Sequence, residues 1–116
     1  MPRRGWRWRM IARIWTAAAR PDCIAAYVTY LREKTFPQLR SIPGHRGAYV
    51  LRRPSNDDLH VTVITLWESL DAVARFSGAD VEAAVVPPEA QALLISWDAR
   101  ATHWDVAYAT DGPAKT

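Results

Sequence analysis

The sequence predicts an α+β fold of order β-α-β-β-α-β. Three observations carry that prediction. Apolar, strand-like segments open and close the chain. A helical stripe with a second, capped helix alternates with them. Pro, Gly, Asn and Asp clusters fall between the periodic segments. At 116 residues and 13.1 kDa the chain has the size of one domain.

The first strand is Met10-Ile-Ala-Arg-Ile-Trp15. Pro21 and Asp22 suit a helix start, with Asp22 as the cap or in the first turn. Ile24, Tyr27, Val28 and Leu31 recur at helical spacing and define a buried stripe. Pro37 should end or kink this helix at about Phe36, with Leu39 and Ile42 continuing its apolar face. Ile42-Pro-Gly-His-Arg-Gly47 reads as a turn, Ala48–Arg52 as a strand, and 53–58 as a polar loop in which Asn56 serves turn chemistry. Leu59–Trp67 is the strongest strand and pairs with its predecessor as an antiparallel hairpin. Ser69 caps a helix over Leu70–Phe76, with Asp71 in its first turn and Gly78 as its stop. Asp80 is expected to cap a short helix ending at Val86. Pro87-Pro88 breaks it, and Pro88 opens a further turn through Leu94. Ala101–Tyr108 is the last strand. This order is the ferredoxin-like arrangement, a four-stranded antiparallel sheet with helices on one face.

The other face of that sheet is apolar as well. Val61 and Val63 alternate with Ile64 and Leu66, and Ile11 and Trp15 with Ala12 and Ile14. A sheet apolar on both sides has to be covered on both. Too little chain remains to do so, and the expected cover is a second copy, which gives a homodimeric α/β barrel with an isologous interface.

Composition narrows the function class. Apolar residues make up 49% and charged residues 23%, an ordinary globular mix. No apolar run approaches the ~20 residues that span a bilayer, so no membrane partner is expected. The single Cys23 leaves no internal disulfide framework, and a reduced, cytoplasmic home is the simplest. The net charge of +3 is misleading. Arg3, Arg4, Arg7 and Arg9 hold +4 within residues 1–9, and 10–116 carry −1. A nucleic-acid partner needs a basic face on the domain itself, so none is expected. Residues 1–9 read as a basic extension, or as an arm using Trp6 and Trp8. Residues 10–109 read as the domain and 110–116 as a frayed tail.

The strand Met10–Trp15, the turn Ile42–Gly47, the strand end Leu66-Trp-Glu-Ser69 and the closing His103-Trp-Asp-Val106 together resemble the antibiotic biosynthesis monooxygenase-like domains of the dimeric α/β-barrel superfamily. The resemblance covers about Met10 to Ala107. It implies a small pocket between helices and sheet. It also implies cofactor-free oxidation of dihydroxy-arenes or aromatic polyketides to quinones, or, in related members, haem cleavage. The expectation is a cofactor-independent monooxygenase acting on a small aromatic phenol and O2, with no cofactor and no metal. The alternative is a non-catalytic dimeric barrel that binds a small hydrophobic ligand, or a haem-binding relative. Residues 69–96 contain no histidine to serve as an axial ligand, which counts against haem cleavage. His45, His60 and His103 have no metal-ligand spacing. The five glycines include no Gly-x-Gly-x-x-Gly run for a nucleotide cofactor.

Cofactor-free oxygenation needs a base, a cation or donor for the phenolate, and aromatic walls. Trp67 matches the family's Trp and would wall the pocket or donate its N–H; alternatively it fills the core. His103 is the base candidate, because imidazole titrates near neutrality; alternatively it is a hydrogen-bonded residue of the sheet or dimer seam. Arg13 sits among apolar strand neighbours and would hold the anion; alternatively it forms a salt bridge to Glu68 or Asp105. Tyr27, Phe76 and Trp15 are the expected substrate-binding walls. His45 and Arg46 lie at a pocket mouth or in solvent, and Cys23 is inert.

Overall fold

The computed structural model describes residues 8–110. The sequence reading of residues 1–7 and 111–116 falls outside that range. Strand β1 (Ile11–Ala19) leads to helix α1 (Ile24–Tyr30), which passes through a π-helical turn at Leu31–Thr35 into α2 (Phe36–Arg40). Strands β2 (His45–Ser55) and β3 (Asp58–Trp67) follow as a hairpin, then α3 (Leu70–Ser77), a short α4 (Pro88–Gln91), and strands β4 (Ser96–Trp97) and β5 (Thr102–Asp105). The sheet is antiparallel in the order β2-β3-β1-β4, with β5 also on β1. It is the expected ferredoxin-like sheet, its fourth strand split in two.

In β1, Ile11, Arg13, Trp15, Ala17 and Ala19 turn inward under the helices and are buried. Val61, Thr65 and Trp67 do the same on β3. One core cluster gathers Trp15, Ile24, Tyr27, Leu31 and Val61; the other gathers Ile11, Leu39, Trp67, Ala72 and Val73. Trp8 packs on the second cluster, and the Arg9 N–H donates to Asp105 Oδ1 at 2.9 Å.

Several boundaries depart from the sequence reading, each for a physical reason. Asp22 neither caps α1 nor enters its first turn; Cys23 is the N-cap residue, and Asp22 is held instead by Arg20. Pro37 does not end the helix. The chain widens to a π turn just before it, and Pro37 then sits in the first turn of α2, where its missing N–H costs nothing. The hairpin loop shrinks to Asn56-Asp57, with Asn56 at φ +58°. Pro54 fits within β2 because β2 is an edge strand. Ser69 caps α3 as expected, its Oγ accepting from Ala72 N at 3.1 Å, and Gly78 stops it at φ +87°.

No helix forms over 80–86. Asp80 Oδ1 instead accepts from Glu82 N, Ala83 N closes a turn onto Asp80 O, Arg100 ties Asp80 to Glu82, and Ala83 forms an isolated bridge to Arg100. The last strand is shorter than expected and broken. Asp98 accepts from Trp15 Nε1 through its carbonyl and from Thr16 through its carboxylate, and this bulge separates β4 from β5.

Candidate functional site

A cavity opens between the inner face of β1 and β3, the α1–α2 segment and residues 85–90. It is narrow, with a cavity volume of about 50 Å³. Trp15, Tyr27 and Phe76 supply aromatic walls, and Leu31, Val63 and Val86 aliphatic ones. The π turn contributes to this wall: Leu31 and Thr35 both face the space. Lys34, Gln38 and Glu89 stand at the adjoining rim.

Two polar side chains, Arg13 and Thr65, are buried among the described residues, each 6% exposed. Both line the cavity. They are direct cross-strand partners, which puts their Cβ atoms about 5 Å apart on one face. The Arg13 Nη2 donates to Ala83 O at 2.7 Å and to Val81 O at 3.5 Å, and its guanidinium lies 5.7 Å from the Phe76 ring centre. Its Nε is buried with no acceptor. Neither expected salt-bridge partner reaches it: Glu68 pairs with Arg46, and Asp105 takes the Arg9 N–H. Burial without a carboxylate pulls the guanidinium down to about 10, still fully cationic at neutral pH. The cavity therefore has an aromatic body and one uncompensated positive charge. Burial also pushes the Tyr27 phenol up, so Tyr27 is neutral in this wall.

Of the six residues singled out in the sequence, Arg13, Trp15, Tyr27 and Phe76 share this cavity. Trp67 does not line it. Trp67 is fully buried one layer behind, stacked on Phe76 at 6.2 Å and edge-on to His45 at 5.1 Å. Its Nε1 donates to Thr65 Oγ1 at 2.8 Å, so its N–H is already used. His103 is the partner of Arg13 on β5 but lies outside the cavity wall, in a shallow depression with Glu82, Arg100, Thr102 and Trp104. Burial and the nearby Arg13 hold its imidazole below the ordinary histidine range, with Glu82 opposing, so His103 is neutral at pH 7. His45 is lowered in the same sense by burial and Arg40. Thr65 escaped the sequence reading, although its parity in β3, inward with Val61, Val63 and Trp67, marked it as a polar residue on a buried face.

A sheet with one layer of helices and a cationic, aromatic-lined cavity between them describes a small α+β domain of ferredoxin-like topology. The family profile for antibiotic biosynthesis monooxygenases matches residues 10–92, and the chain belongs to that family. Solved structures agree in fold. A family namesake from Nitrosomonas europaea superposes with a TM-score of 0.62 at 12% identity, covering 90% of this chain and 97% of that one. Another from Caulobacter crescentus gives 0.62 at 16%, covering 87% and 92%. A Streptomyces coelicolor monooxygenase in complex with nanaomycin D gives 0.56 at 19%, covering 89% and 91%. None of the curated proteins matches the sequence. Among the described residues, no helix is long and apolar enough to cross a membrane, and no cluster of metal-ligating side chains occurs.

Proposed function

We propose that the chain is a cofactor-independent monooxygenase that oxidises a small aromatic phenol to a quinone with O2. The observation that carries this reading is Arg13, a buried cation without a carboxylate partner in an aromatic cavity. Such a charge lowers the pKa of a bound phenol, and the resulting phenolate is electron-rich enough to reduce O2. One oxygen atom enters the ring, the other leaves as water, and all four electrons come from the substrate. Trp15, Tyr27 and Phe76 hold the ring and exclude water. The phenol's proton leaves through the mouth. His103 stands beside Arg13 as its cross-strand partner on β5 rather than on the wall. The nanaomycin D complex of the Streptomyces protein supports a small-molecule ligand for this fold. The test is oxygen uptake with a panel of hydroquinones and naphthols, aerobic against anaerobic. Uptake above a boiled control supports the reading; none across the panel defeats it and leaves the non-catalytic ligand-binding barrel.

We also propose that the outer sheet face is covered by a second copy. Trp104 and Tyr49 are 59% and 58% exposed there, beside Leu51, Ile14, Ile64 and Leu66. Such a patch is expensive to leave in water.

A further inference from the structure

We infer that Thr65 is a second anchor for the substrate's anionic oxygen, donating its hydroxyl hydrogen beside Arg13, and that Trp67 is the positioning residue that aims it. The inference deepens the reading of the cavity given above and rests on it. A threonine hydroxyl has one hydrogen to donate and lone pairs to accept. At Thr65 the Trp67 N–H occupies the oxygen at 2.8 Å. Among the described residues no acceptor receives the hydroxyl hydrogen, and the side chain faces the cavity. Trp67 is itself wholly buried, packed against Phe76 and His45. A fixed donor on one side of a rotating hydroxyl leaves its hydrogen the remaining directions, and the cavity is where an acceptor can come from. Arg13 lies directly across the strand pair, so one oxygen can meet both groups.

This pairing selects a ligand class: a flat aromatic body ending in an oxygen that carries negative charge and accepts two hydrogen bonds. A methyl ether carries no charge and only a weakly accepting oxygen, so it leaves the buried cation uncompensated. It also explains why the family-like Trp stands behind the wall rather than on it.

The test uses 4-nitrophenol, whose absorbance reports its ionisation, and 4-nitroanisole, its uncharged methyl ether. In the wild type the bound phenol is expected to ionise at lower pH than free phenol and to bind more tightly than the anisole. Thr65→Val should weaken phenolate binding about tenfold and raise the bound phenol's ionisation pH, with anisole binding unchanged. Thr65→Ser should restore both. Trp67→Phe keeps the ring and drops the N–H, and should cost the phenolate a smaller factor and the anisole nothing. If Thr65→Val fails to fold because the Trp67 N–H loses its acceptor, the Thr65→Val/Trp67→Phe double variant removes donor and acceptor together and takes its place. Phenolate affinity unchanged in Thr65→Val, or equal losses for both ligands, overturns the role of Thr65 while leaving Arg13 intact. A wild type that binds phenolate no better than anisole overturns the reading of Arg13, and this inference with it.

Discussion

At the scale of single residues, function and stability pull in opposite directions at Arg13. Lowering an arginine from its ordinary value to about 10 corresponds to roughly 3 kcal/mol of unfavourable burial at neutral pH. Two backbone carbonyls offset part of that. Arg13→Met, apolar and of similar length, should therefore raise stability by about 1 kcal/mol in urea denaturation while abolishing preference for anionic ligands. The histidines give a pH signature with a definite sign. His103 and His45 are both lower in the folded chain than in the unfolded one. Between the two values the unfolded chain binds more protons, so stability is full above about pH 6.5 and falls as the pH drops through the folded values. Urea midpoints at pH 7.5 and 5.0 should show that fall, and His103→Gln should reduce it. A midpoint that rises on acidification would contradict the burial of both rings.

At the scale of elements, the hydrophobic alternation of β1 and β3 and the Ser69–Gly78 bracket around α3 were legible because each is a local signal. The failure at 80–86 is the informative one. Its composition allows a helix, but the competing bonds of Asp80 go to Glu82 N and to Arg100, which lies 20 residues away between β4 and β5. This non-helical segment leaves the Val81 and Ala83 carbonyls to receive Arg13, and places Val85 and Val86 on the cavity wall. The split of the last strand was invisible for the same reason: Asp98 bonds to Trp15 and Thr16 across the sheet. Tight packing between elements makes a further prediction. Gly44 has φ +97°, and a Cβ there would come within 2.7 Å of Ala72 Cβ on α3. Gly44→Ala should cost about 2 kcal/mol or more, seen as a lower thermal midpoint with α3 loosened.

At the scale of the whole molecule, the two sheet faces have different fates. The inner face is sealed by α1, α2 and α3, and the cavity is the gap they leave. The outer face keeps its apolar side chains exposed, as the two-sided alternation in the sequence implied. Of the site, Arg13 and the aromatic walls could be read from strand parity and helical spacing. That Trp67 stands behind Thr65, and His103 beside the cavity, depends on side-chain directions that spacing alone does not carry. If a second copy covers the outer face, Trp104→Asp should convert a sedimenting dimer to a monomer at micromolar concentration, its secondary structure retained.

The buried charge of Arg13 is the point on which the whole account turns. Comparing kcat/KM of the wild type and Arg13→Met for the phenol that gives the fastest oxygen uptake, with folding checked by circular dichroism, tests it most directly. A folded variant slowed by about a hundredfold or more is the predicted result, the size expected for removing one charge-stabilising group. A folded variant that turns over at the wild-type rate would contradict it.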